Sequence, residues 1–505
     1  FNPTRLDTDQ WVRACKAGGM RGLVLVAKHH DGFCLWPSKH TEYSVKATPW
    51  KDGKGDVLGD LAQSCKKHGL RLGVYLSPWD RNHAAYGREE YVKYFHAQWR
   101  EVMTDYGRLF ELWFDGANGG SGYYGGARES RRIDPKTYYQ FPKILKMTRE
   151  LQGDIVMFGS GEPGAVRWVG NESGVAGETN WCRFPRVGFA NPIDRRLRGV
   201  GVEDGPEWMP AESDTPFRRG WYWHPGENPK SLKRLVDLYF ASVGRNSTLN
   251  FGIAPDRTGL LEAEDVERLR QFGSYVNEMR NNDLAKGKPV TASQTRGDDP
   301  QFAATHITDA DYDTYWATDD DVLTGSVEID LGRPCTFDVV EIQEYIPLGQ
   351  RVKAWAVDVM MDAGWQELGS ATTIGYKRLL RVPDTTTSKV RIRITSAKAC
   401  PTINHVGLYR APVVKMEPES SLNIPGNIPK DGWRIVACSF ANESDAPVSR
   451  LIDGDFGTMW HTHGPAGRVP PPHEVTIDLG KMTDVAGFFC MPRHDGCRVG
   501  LVDQY

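Results

Sequence analysis

The first 280 or so residues alternate continuous apolar runs with helical stretches, and this alternation restricts the fold more than any other property of the chain. The runs lie at 22–28 (GLVLVAK), 70–76 (LRLGVYL), 109–115 (LFELWFD), 154–160 (DIVMFGS) and 248–253 (TLNFGI), with helical stretches such as 56–68 and 89–105 between them. Uninterrupted apolar strands are buried on both faces, so they predict a parallel sheet covered by helices on each side. A long series of such units favours a (β/α)8-like barrel over an open sheet. In that fold chemistry sits where strands end and loops begin. The ends here are polar and aromatic: KHHDGF at 28–33, SPWD at 77–80, FDGANG at 114–119 and WVGNESG at 168–174.

A chain of 505 residues is too long for one core, because single cores stop growing near roughly 250–300 residues. Near 283 the texture changes to short β-rich runs with turn residues, including 326–331 (SVEIDL), 337–344 (FDVVEIQE), 353–360 (KAWAVDVM) and 389–394 (KVRIRI). These predict an antiparallel β-sandwich. A repeat follows. ITDADYDTYW at 307–316 and IDGDFGTMW at 452–460 each precede, by about 20 residues, a strand signature: VEIDLG at 327–332 and VTIDLG at 475–480. Two copies roughly 145 residues apart imply two sandwiches of one type. The expected layout is a barrel over 1–282, a sandwich over 283–412, a Pro-rich linker over 413–431 and a second, truncated sandwich over 432–505. The opening FNPTRLDTDQW, without Met, and the closing GLVDQY suggest that both ends are cut.

Several function classes are excluded. The net charge is -3 and no basic cluster suggests nucleic acid. No apolar run reaches the ~18 residues of a membrane-spanning helix. The nine cysteines show no CxxC or zinc spacing and read as buried free thiols.

Asp115 is the strongest chemical candidate. A carboxylate ending an apolar strand is costly inside a barrel but can point into its mouth. Asp115-Gly116 is also a turn dipeptide, so a turn role competes. His29 and His30 end another strand, and a neutral imidazole can donate to one hydroxyl and accept from another. A metal role finds no third ligand at matching spacing. Trp36, Trp79, Trp113, Trp181, Trp221 and Trp223 lie on or near the loops, where indoles could pack on apolar C–H faces of sugars. A sugar hydrolase needs two carboxylates. The partners available to Asp115 are Glu162, Glu172, Glu178 and Glu212. Glu172 in RWVGNESG has the aromatic setting that raises a general acid's pKa, Glu212 in WMPAESD is its rival, and Glu178 could instead hold a loop in place.

The motifs resemble a known family. AKHHDGFCLWPSKHTEYSV at 27–45, GVYLSPWDRN at 73–82, ELWFDGANG at 111–119 and VGRNSTLNFGIAPDRTG at 243–259 look like α-L-fucosidases of glycoside hydrolase family 29. RWVGNESGVAGETNW at 167–181 and PAESDTPFRRGWYWHP at 210–225 resemble its 1,3/1,4-linkage-specific branch. The resemblance implies a retaining mechanism with Asp115 as nucleophile and Glu172 as acid/base. It also implies fucose contacts from His29, His30, Trp36 and Tyr75, with Trp181 and Trp221 shaping the rim. No catalytic cofactor is expected, and the expected partners are fucosylated glycans. The substrate class suggests a secreted or periplasmic protein. Family members carry a further barrel strand upstream, expected to be missing here, and the insertion GGSGYYGGARESRRID at 119–134 departs from the pattern.

The sandwiches resemble discoidin (coagulation factor V/VIII type C) domains, many of which bind carbohydrate. Their acidic turns often hold structural calcium, which would fall to Asp309, Asp311 and Thr314 in the first copy and Asp453, Asp455 and Thr458 in the second. Two other readings stay open at this point: a non-catalytic sugar-binding protein on a degenerate barrel, and an α-L-galactosidase on the same scaffold.

Overall fold

The computed structural model describes residues 1–161, 164–186 and 195–414, and beyond them 428, 430, 432–439, 447–453, 460, 463–464, 467–468 and 473–485. The predicted parallel sheet is present as seven strands: β1 (Gly22–Lys28), β2 (Arg71–Leu76), β3 (Glu111–Trp113), β4 (Val156–Phe158), β5 (Ala165–Trp168), β6 (Ala211–Pro216) and β7 (Ser247–Gly252). They pair in chain order, each parallel to the next. The helices around them include α1 (Thr8–Ala17), α2 (Val57–His68), α3 (Glu89–Asp105), α4 (Phe141–Gln152), α5 (Leu232–Ala241) and α6 (Ala263–Asn281). Local chemistry sets their ends. The Asp7 and Asp56 carboxylates accept from Gln10 N and Gly59 N at the starts of α1 and α2, and Gly69 closes α2 at φ 73°.

The curled sheet has β1 and β7 as its two edges. Among the described residues they are not bonded to each other, and Val26 on β1 is 45 % exposed. Strands β3 and β4 are shorter than the apolar runs that predict them. Strand β6, AESDTP, has no apolar run at all and is nevertheless buried over Ala211–Thr215. Its carboxyl and hydroxyl groups find partners inside the sheet, which hydropathy along the chain does not reveal.

Register places Val26, Tyr75, Trp113 and Phe158 side by side across β1 to β4. Ring centroids of Tyr75 and Trp113 are 5.2 Å apart, and those of Trp113 and Phe158 are 3.8 Å apart and nearly parallel. This aromatic layer forms a floor beneath the C-terminal ends of β2 and β3.

The sandwich contains β8 (Val290–Ala292), β9 (Trp316–Ala317), β10 (Gly325–Glu344), β11 (Val352–Met361), β12 (Gly364–Ala371), β13 (Arg378–Ala397) and β14 (Thr402–Tyr409). All pair antiparallel, in the order β9-β14-β10-β13-β11-β12 with β8 on β10. Its core includes Trp316, Ile329, Phe337, Trp355 and Val406. The barrel and this sandwich form one compact unit, Phe1–Val414.

In the second unit the repeat reappears as structure. Val475–Asp478 pairs antiparallel with Arg434–Cys438, matching Ile477 to Ile435, as β10 pairs with β8 and matches Ile329 to Val290. Cys15, Cys34, Cys65, Cys182 and Cys400 are buried thiols outside any disulfide. Among the described residues no helix is long and apolar enough to cross a membrane.

Candidate active site

Asp115 stands two residues beyond β3, and its two carboxylate oxygens do different work. Oδ1 accepts from Ala117 N at 2.7 Å, closing the Asp-Gly turn. Oδ2 accepts from the Tyr75 hydroxyl at 2.7 Å and faces His30 Nε2 at 3.9 Å. The turn role and the chemical role therefore coexist on one side chain.

The two histidines pack against each other at a tilt of 37°, with centroids 4.0 Å apart, and His29 lies parallel to Tyr75 at 5.8 Å. Burial pushes His29 below the usual imidazole range. Burial, reinforced by the neighbouring His29, pushes His30 down to about 4 against the pull of Asp115. Both shifts favour the neutral imidazole. Ser77 gives its one proton to the Trp79 carbonyl at 2.7 Å, so its oxygen accepts from His30 Nδ1 at 2.7 Å. That tautomer leaves Nε2 as an acceptor beside Asp115. The preceding residue anchors the pair: Lys28 is fully buried, donates to Gln98 Oε1 at 2.8 Å and lies 3.8 Å from the buried Asp80.

Glu172 lies in the loop after β5, four residues past Trp168. It is exposed and accepts from the Trp221 indole N–H at 3.0 Å. Trp221 is 37 % exposed and packs against Gly252 at the end of β7, where a Cβ would meet its ring at 2.5 Å. Its neighbour Tyr222, 58 % exposed, reaches His29 Nδ1 at 2.9 Å through its hydroxyl. One loop thus touches both sides of the site. Arg218, paired with Asp265 and Glu262, roots that loop.

The other candidates fall elsewhere. Trp36, expected to touch sugar, is 1 % exposed and gives its indole N–H to Glu101 at 2.9 Å, so it belongs to the packed core. Trp181 is 5 % exposed and lies under the Lys398 ammonium at 5.5 Å, where barrel meets sandwich. Their apolar area is used in packing. Glu212 is buried on β6 and accepts from Trp113 and Asn250, each at 3.2 Å. Burial and the facing Glu212 push Glu111 well above the usual carboxylate range, and burial raises Glu212 as well. Glu178 pairs with Arg245 and Arg378 at the sandwich. Glu162 lies outside the described residues.

Sequence reasoning missed Tyr222, Ser77 and Asp214. Asp214 on β6 accepts from the Trp168 indole at 2.6 Å, and burial, with Glu172 and Glu212 nearby, raises it to about 7. It also missed the role of the insertion after Asp115. Tyr124 is buried there and accepts from Trp79 Nε1 at 3.0 Å, and Trp79 in turn lies 5.2 Å from the His30 ring. The insertion therefore builds the wall beside the histidines. The fold brings Asp115 within 4.8 Å of both, a separation that chain spacing cannot show.

In the first acidic turn, Asp309 accepts from Asp311 N at 2.8 Å and from Thr314 Oγ1 at 2.9 Å, and Asp311 accepts from Asp313 N at 3.0 Å. These bonds close the turn on itself. Asp455 and Thr458 of the second turn lie outside the described residues, while Asp453 is described just after the helical turn Val448–Leu451.

A parallel α/β barrel with rim carboxylates set among neutral imidazoles and aromatic rings belongs with the glycoside hydrolases. Residues 1–281 match the family described as alpha-L-fucosidase, and residues 289–406 match the F5/8 type C domain. Alpha-L-fucosidase 1 of Arabidopsis thaliana is 37 % identical over 418 residues, covering 81 % of this chain and 79 % of its own. A glycoside hydrolase 29 family member from an unknown rumen bacterium superposes with a TM-score of 0.73 at 40 % identity, over 86 % of this chain and 74 % of that one. The family 29 fucosidase of Ruminococcus gnavus, solved in complex with fucose, superposes with a TM-score of 0.71 at 31 % identity, over 81 % and 86 %. The chain belongs to the α-L-fucosidase family, with a discoidin-type sandwich following its barrel.

Proposed function

We propose that this protein is a retaining exo-α-L-fucosidase that releases terminal α-1,3/1,4-linked fucose from glycans. Asp115 attacks the anomeric carbon as the bond to the leaving oxygen breaks. Glu172 gives that oxygen its proton, then takes one from the water that cleaves the fucosyl-enzyme. The two neutral histidines, with His30 Nε2 an acceptor, suit sugar hydroxyls. The carrying observation is Asp115 itself, with one oxygen tied into its turn and the other aimed at Tyr75 and His30. The linkage preference is supported by the motifs around Glu172 and Trp221. The substrate class supports a secreted or periplasmic location.

The direct test is Asp115→Ala on an activated aryl fucoside. Loss of turnover, with azide restoring it and yielding fucosyl azide of inverted configuration, is the expected result. Absence of rescue sinks the nucleophile assignment. Comparing α-1,2- with α-1,3/1,4-fucosylated trisaccharides tests the linkage.

A further inference from the structure

The loop that carries Glu172 is tethered to the sandwich. It leaves β5 at Trp168, passes Glu172, and then descends to the barrel–sandwich contact. The Asn171 side chain closes its first bend, accepting from Ser173 N at 3.1 Å and donating to the Val175 carbonyl at 2.9 Å. Ala176 N then donates to the Ala241 carbonyl at the end of α5, at 2.9 Å. From Glu178 onward the sandwich supplies partners in addition to those of the barrel. The Glu178 carboxylate pairs with Arg378 as well as Arg245, and its carbonyl accepts from Arg378 at 2.8 Å and Thr372 at 3.0 Å. Asn180 N donates to Thr373 Oγ1 at 2.8 Å, and Gln350 bonds both the Asn180 carbonyl and Cys182 N, at 2.9 and 2.7 Å.

An open surface groove of about 470 Å³ runs along this segment, lined by Val169, Gly170, Val175, Gly177 and Gly199. Val169 and Ala176 pack with Ala211 on the inner side, and the polar anchors hold the segment on the other.

We propose that the sandwich is a positioning element for the acid/base, with Arg378 and Glu178 as the positioning residues; this rests on the reading of Glu172 as acid/base. The sandwich then contributes to bond cleavage through the loop it holds, whether or not it binds sugar. A displacement of about 1 Å in a proton donor can cost on the order of 100-fold in rate, so a brace at the far end of the loop is within reach of kcat/KM.

The test separates leaving groups. A strongly acidic phenol departs without protonation, whereas a sugar hydroxyl needs it. In the full chain, Arg378→Ala is expected to lower kcat/KM on a fucosylated trisaccharide about tenfold or more while changing an activated aryl fucoside less than about threefold. Arg378→Lys should restore part of the loss. Glu178→Gln, which leaves the backbone anchors intact, should show the same split more weakly. Arg381→Ala cuts a different sandwich contact, with Asp237 and the Phe240 ring, and should show no split. Equal losses on both substrates for Arg378→Ala and Glu178→Gln in folded protein overturn the proposal. If Glu172→Ala itself shows no split, the acid/base reading is what has failed. A split in Glu172→Ala without one in Arg378→Ala sinks the brace alone.

Discussion

Asp115 lies two residues past a strand, in a turn closed by its own carboxylate, against an aromatic floor and beside two imidazoles packed at a tilt. Glu172 lies on a long loop, exposed, under an indole from another loop, with its far anchors in the next domain. The difference follows from what each group is asked to do in the proposed mechanism. A nucleophile must meet one carbon along one line, which strand ends define well. An acid/base serves a leaving oxygen and then a water, and it sits where the rest of the glycan must enter and leave.

The comparison is exposed most sharply by Glu172→Ala. Its kcat/KM on a fucosylated trisaccharide is expected to fall by about 10² to 10⁴, with much less loss on an activated aryl fucoside. Losses as deep as those of Asp115→Ala on both substrates would erase the distinction between the two sides. Next in size is Tyr75→Phe, which removes a hydrogen bond to a charged group worth roughly 1.5–3 kcal/mol, or about 10- to 100-fold in kcat. A variant with wild-type kcat would show that strand-end orientation is not what holds Asp115.

Asp214 tests the interior beneath both groups. Its carboxyl, raised to about 7 mainly by burial, binds its proton more tightly in the folded chain. Such a group adds stability below the unfolded value near 4 and loses it as pH rises through about 7. Asp214→Asn, which can still accept from Trp168, should lose less stability between pH 4 and pH 8, by on the order of a few kcal/mol. Parallel wild-type and variant melting curves against pH would refute this. The smallest effect concerns the first acidic turn. If Asp309, Asp311 and Thr314 bind calcium, added Ca²⁺ raises Tm by a few degrees and Asp309→Asn abolishes the rise. No shift with Ca²⁺ leaves the turn to its own hydrogen bonds. Chelation should leave activity unchanged if His29, His30 and Asp115 bind sugar, while loss restored by a divalent ion would make them a metal site.

Residues legible in the sequence are those whose signal is local. Asp115, His29 and His30 were readable because each ends an apolar run, and the acidic-turn repeat was readable because both copies keep one spacing. Resemblance of ordered motifs supplied Tyr75 and the choice of Glu172 over Glu212. The tryptophans were the weak point. Trp36 and Trp181 sit in loops as Trp221 does, but their rings are spent on the core and on the sandwich contact.

The sequence by itself determined that strands and helices alternate, where the strands end, and that a second β domain follows with its repeat. Those are properties of neighbours along the chain, set by periodicity and turn chemistry. Only the tertiary structure decided that Tyr222 meets His29 across 193 residues, that Glu178 meets Arg378 across 200, and that the polar strand β6 is buried with Glu111 and Trp168 as partners for its carboxyls. Contacts of that range depend on how the sheet curls and where the sandwich docks. A side chain's partner is chosen by that geometry, and its own neighbours in sequence do not carry the information.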